Sequence, residues 1–197
     1  MVATLTRQCW LFAIGSSLFA LATLPGFPAS AGAGAANALC FVGSWCFTTA
    51  AWLQLRLSHP ARRAEWLSAA TQFGGTLLFN ISTGAAVLTH AITAERRLVW
   101  APDATGSIAF LVSGVLGVVA VTAAVGLFAP KARDWQAEWV NLAGCVAFGV
   151  SAAGAFVRKT GVTADATLAN VGTFLGALCF LAAALRVLPR FRERQRA

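Results

Sequence analysis

Six apolar stretches occupy most of this chain, and each is about as long as a bilayer is thick. They cover 6–24, 37–57, 67–92, 105–129, 139–157 and 168–188, and hold 19, 21, 26, 25, 19 and 21 residues. A helix rising 1.5 Å per residue needs about 20 residues to cross a hydrocarbon core. The segments between them reach at most 12 residues, which leaves no room for a soluble domain. Hydrophobic residues make up 58% of the chain and charged ones 11%, against about 25% charged in soluble domains. The lengths and the missing apolar/polar alternation point to helices and not to a β-barrel. The expected fold is an all-α integral membrane protein: one domain over 1–197, six transmembrane helices, and a basic cytoplasmic tail at 189–197.

Local chemistry marks the helix ends. Proline removes a backbone donor and crowds the preceding turn, so Pro25 and Pro28 end the first stretch, and Pro60, Pro130 and Pro189 close the second, fourth and sixth. Asp103 or Thr105 is the expected N-cap of the fourth.

The net charge of +8 is unevenly placed. With the N-terminus inside, the inner segments carry Arg7, Arg56, Arg62, Arg63, Lys131, Arg133, Arg186, Arg190, Arg192, Arg194 and Arg196. The outer ones carry only Arg96, Arg97, Arg158 and Lys159. Eleven against four satisfies the positive-inside rule and places both termini in the cytoplasm. The tail reads as a juxtamembrane segment held by anionic lipid, and nothing accompanies it that would make a nucleic-acid module. Trp10, Trp66, Trp135 and Trp139 on the inner side, and Trp100 on the outer, read as interfacial anchors. A competing reading of the N-terminus is a signal peptide, with Arg7, an apolar run to Ala22 and a cleavage site at Ala29-Ser30-Ala31.

A repeat favours a real first helix. Every stretch contains Gly, a small residue, two variable residues, then Phe: Gly15/Phe19, Gly43/Phe47, Gly75/Phe79, Gly106/Phe110, Gly144/Phe148 and Gly176/Phe180. Successive glycines are 28, 32, 31, 38 and 32 residues apart, one crossing plus one loop. Positions i and i+4 share a helix face, and Ser82, Ser113 and Ser151 extend it at i+7 in three of the helices. In lipid, helices associate by close approach at small residues, so these glycines and phenylalanines read as packing positions.

The Gly-small-x-x-Phe helices, the run Gln72-Phe-Gly-Gly-Thr-Leu-Leu-Phe-Asn-Ile-Ser-Thr83, and Trp100-Ala-Pro-Asp103 ahead of Gly106-Ser107 resemble the YrhK-like family of bacterial integral membrane proteins, over roughly residues 37–185. The resemblance implies helix pairs in the cytoplasmic membrane and supplies no reaction or catalytic residue.

No Asp, Glu, Lys or Arg falls deep inside any stretch, which argues against proton-coupled carriers and pumps. His59 and His90 fall on opposite sides and cannot share a metal. Cys9, Cys40, Cys46, Cys145 and Cys179 read as small apolar residues without a Cys-x-x-Cys motif. No cofactor, metal or catalytic set is expected. Asn80, mid-way along the third stretch, is either an interhelical hydrogen bond or, with Ser82, Ser113 and Ser151, the lining of a polar path. Three functions follow, the most distant being a membrane enzyme or cofactor protein that uses residues outside any recognised motif. The leading one is a non-enzymatic structural or accessory membrane protein that meets lipid, copies of itself or a membrane-complex partner through helix packing. The alternative is a passive channel or facilitator for a small solute.

Overall fold

The computed structural model describes residues 2–88 and 91–189. His90 and most of the basic tail lie outside the described residues. The chain is helical: α1 (Val2–Ala22), α2 (Phe27–Ala31), α3 (Ala33–Leu57), α4 (Arg63–Leu88), α5 (Ile92–Ala94), a π-helical segment (Glu95–Trp100), α6 (Ala101–Val125), α7 (Arg133–Gly154) and α8 (Ala166–Val187). Among the described residues the only extended pairing is a single antiparallel bridge between Val157 and Thr163. Among the described residues four helical runs are long and apolar enough to cross a membrane: Val2–Ala22, Ala33–Leu57, Ile92–Val125 and Ala166–Val187.

The helix bounds differ from those read from apolarity because several helices continue into polar turns. α4 begins at Arg63, where Arg62 and Glu65 form an exposed ion pair of 3.2 Å, and α7 begins at Arg133. α8 starts where the Asp165 carboxylate accepts the Leu168 amide at 2.9 Å, an N-cap. The α1–α2 turn passes through Gly26 at φ 88°, and α6 stops at Gly126 at φ 98°, conformations that favour glycine.

The largest correction concerns the fourth stretch. Its helix starts at Ile92, not Thr105, and neither Asp103 nor Thr105 caps it. Thr105 bonds back to the Ala101 carbonyl at 2.8 Å, and Asp103 is well inside the helix. Pro102 lacks an amide hydrogen and crowds the Leu98 carbonyl. The wide π turns just upstream absorb that conflict, so the helix continues through the proline.

The six long helices form a closed antiparallel ring. α1 packs most closely with α3, α4 with α6 and α7 with α8, and the looser neighbours α3/α4, α6/α7 and α8/α1 close it. The beginnings of α1, α4 and α7 share the near end with the terminations of α3, α6 and α8. There the Arg133 guanidinium donates to the Leu188 carbonyl at 3.2 Å. Leucine, valine and isoleucine stand exposed on the outer faces, for example Ile108 at 63% and Val119 at 51%. Apolar surface directed outwards around the whole ring suits lipid and not water.

Candidate functional site

Each motif residue has its own neighbour. The glycines sit at the contacts within a hairpin, and five of the six lie beneath the phenylalanine of the partner helix. A Cβ on Gly75 would lie 2.8 Å from Phe110 Cδ1, and one on Gly106 would lie 2.9 Å from Phe79 Cδ2. Gly144 and Phe180, at 2.6 Å, and Gly176 and Phe148, at 2.7 Å, repeat this exchange. In the first hairpin Gly43 lies under Phe19, while Gly15 meets the Gly43 carbonyl at 2.9 Å. In two of the helices the small residue after glycine looks sideways to the next hairpin. Ser44 bonds Thr83 at 3.0 Å, and the Ser107 hydroxyl donates to the Phe148 carbonyl at 3.4 Å.

Phenylalanine points to the axis. All six are at most 5% exposed and share one cluster. Phe19, Phe79 and Phe148 come from the first helix of each hairpin. Phe148 meets Phe19 at 6.2 Å and Phe79 at 5.9 Å between ring centroids. Phe47, Phe110 and Phe180 come from the second helices, and Phe180 meets the other two at 6.0 and 5.8 Å. Contacts of 5.4, 4.8 and 5.1 Å join the tiers within the hairpins. Two stacked triads therefore fill the centre of the ring.

A cavity lies on either side of this layer. The far one, about 360 Å³, draws lining from all six long helices, and Phe19, Phe79 and Phe148 form its floor. Its polar wall includes Asn37, Ser82, Thr83, Trp100, Asp103, Ser151, Asn170 and Thr173. The near one, about 120 Å³, ends on Phe12 and Phe180 and is lined by Gln8, Gln54, Gln72, Glu138 and Asn141.

Several wall groups are held by the protein. Asn37 donates to the Ala86 carbonyl at 2.9 Å, and the Ser151 hydroxyl reaches the Ala169 carbonyl at 2.6 Å and Thr173 at 2.7 Å. Trp100 donates its indole N–H to the Ala152 carbonyl at 2.9 Å. It therefore lines the cavity instead of anchoring in lipid, because the π turns rotate it inwards. Asp103, Asn170 and Ser82 make no hydrogen bond to another described residue.

The four polar candidates separate. Ser82 and Ser151 line the far cavity; Asn80 and Ser113 line neither. Asn80 donates to the Thr48 hydroxyl at 2.9 Å between α4 and α3, and its buried Oδ1 has no partner. Ser113 and Ser68 exchange bonds between α6 and α4, with each hydroxyl 2.9 Å from the other's carbonyl. Replacing Asn80 by Leu should lower the melting temperature only slightly. One interhelical hydrogen bond in lipid contributes about 0.6 kcal/mol, and the change also removes an unpaired buried oxygen. A thermal melt in detergent checks this; a collapse would mean that Asn80 holds the α3/α4 interface.

Sequence reading missed the two carboxylates. Asp103 and Glu138 lie just outside the apolar stretches 105–129 and 139–157, so the stretches looked free of charge, yet each lines a cavity. The Glu138 carboxylate packs against the α-carbon of Gly117, where a Cβ would collide with it. Their register was the available signal: Asp103 precedes Gly106 by three residues and Glu138 precedes Gly144 by six. Among the described residues no group of His, Cys, Asp and Glu could hold a metal ion, and all five cysteines are free thiols. No family model, curated protein or solved structure matches the chain.

Proposed function

We propose that this chain is a non-enzymatic protein of the bacterial cytoplasmic membrane that provides a gated passive path for a small polar solute. In this reading all six long helices cross the bilayer and both termini are cytoplasmic. The near cavity then faces the cytoplasm and the far one the outside. Membership of the YrhK-like family belongs to the same proposal and rests on the sequence resemblance alone.

The observation that carries it is the pair of cavities, each with polar side chains on a mainly apolar wall, on opposite sides of one phenylalanine layer. Polar walls inside a membrane are costly unless water or a solute satisfies them, and a packing scaffold needs none. A ring of apolar side chains closes a path by keeping it dry. The accessory reading, with association through the Gly/Phe faces, has less support. Those faces meet one another within this chain and leave no copy of the motif for a partner.

The test is downhill flux of glycerol and methylammonium into proteoliposomes. Phe148→Ala opens the triad that floors the far cavity and should raise flux several-fold over the parent, with the milder Phe148→Leu between them. Parent-level flux in both variants, with the protein still folded, would contradict the proposal.

A further inference from the structure

We infer that the far cavity binds a small organic cation, with the Asp103 carboxylate as its counter-charge. The inference rests on the passage reading and names its solute class. Asp103 projects into the cavity without an ion pair or hydrogen bond to another described residue. Among the described residues no Lys, Arg or His lines that cavity. The neighbouring Arg96 is placed elsewhere, its guanidinium carbon 5.7 Å from the centre of the Phe156 ring. A carboxylate enclosed by helices without a cation of its own is costly in the membrane, and a bound cation relieves that cost.

The other walls decide which kind of cation. Hard metal ions are held by several oxygens at short range, whereas the floor here is three phenylalanine rings, with Trp100 beside Asp103 on the wall. Aromatic rings with a carboxylate suit an alkylammonium group, whose diffuse charge interacts with ring faces and whose methyl groups tolerate apolar contact. The volume of about 360 Å³ accommodates several heavy atoms, well above a bare metal ion. The near cavity repeats the sign, with Glu138 and, among the described residues, no Lys, Arg or His on its wall, so a cation meets a carboxylate on both sides of the layer.

Tetramethylammonium chloride titrated calorimetrically into the detergent-solubilised protein, at constant ionic strength in sodium chloride, is the test. Saturable binding is expected, together with no binding of the neutral isostere 2,2-dimethylpropan-1-ol. Asp103→Asn should weaken binding by about tenfold or more, because the Coulombic attraction of the counter-charge inside the cavity is lost, and Asp103→Glu should restore most of it. Equal affinity for the neutral isostere, or unchanged affinity in Asp103→Asn, would overturn the inference. A second measurement uses the parent protein alone. Cys40 lines the same cavity, so tetramethylammonium should slow its alkylation, read by peptide mass; an unchanged rate would count against the site. Binding without any flux in Phe148→Ala would end the passage reading and leave the cation site standing. Flux without cation preference would do the reverse.

Discussion

Gly144→Ala and Gly149→Ala, five residues apart on one helix, should differ sharply in their effect on thermal stability. A methyl group at Gly144 would lie 2.6 Å from Phe180 Cδ1 and 3.0 Å from the Cys179 Cβ, so the hairpin must part. Overpacking of this kind typically costs about 1–3 kcal/mol, and Gly144→Leu should exceed it. Around Gly149 nothing lies within 4 Å, and Gly149→Ala should be neutral or gain at most about 1 kcal/mol. Both variants become more apolar, so both should insert into the membrane. Melting in detergent separates them. Similar melting temperatures would refute close approach at Gly144 as the device that holds α7 to α8.

Phe148→Ala should be the most damaging single truncation. Its ring meets those of Phe19, Phe79, Phe110 and Phe180, and no other ring in the layer touches as many. Truncating a buried phenylalanine costs about 3–5 kcal/mol in a soluble core. In lipid the separated helix still places the ring in an apolar medium, so the lower end of that range is expected. Phe128, which is 80% exposed, is the control, and Phe128→Ala should melt like the parent. Equal losses at the two positions would mean that the central triads are not what holds the ring.

The packing logic was legible because it is local and repeated. Gly and Phe at i and i+4 define a face in any helix, and six copies, one in each apolar stretch, give every long helix such a face. Phe19, Phe79 and Phe148 could thus be read as packing residues singly. Their meeting on one axis depends on ring closure, which sequence spacing does not encode. The polar site was harder to read for a different reason. Hydropathy draws the eye to Asn80, the conspicuous amide within an apolar run, but that side chain faces Thr48 across an interface. Asp103 and Glu138 lie where apolarity fades, and only helices longer than their apolar cores carry them into the cavities. The Ile92–Val125 run shows this most clearly, since the helix was expected to start at Asp103 or Thr105 and the π turns instead carry it through Pro102 from Ile92.

The most direct test of two vestibules sealed by one phenylalanine layer is sidedness of thiol labelling. Cys40 stands in the far cavity, and Asn141→Cys places a thiol in the near one. A membrane-impermeant maleimide applied to one membrane face at a time, with modified residues identified by peptide mass, reads both. The account predicts that Cys40 reacts only from outside and the thiol introduced by Asn141→Cys only from the cytoplasm, with Phe148→Ala relaxing this separation. Labelling of both positions from a single face in the protein with Phe148 intact, or of neither from any face, would contradict it.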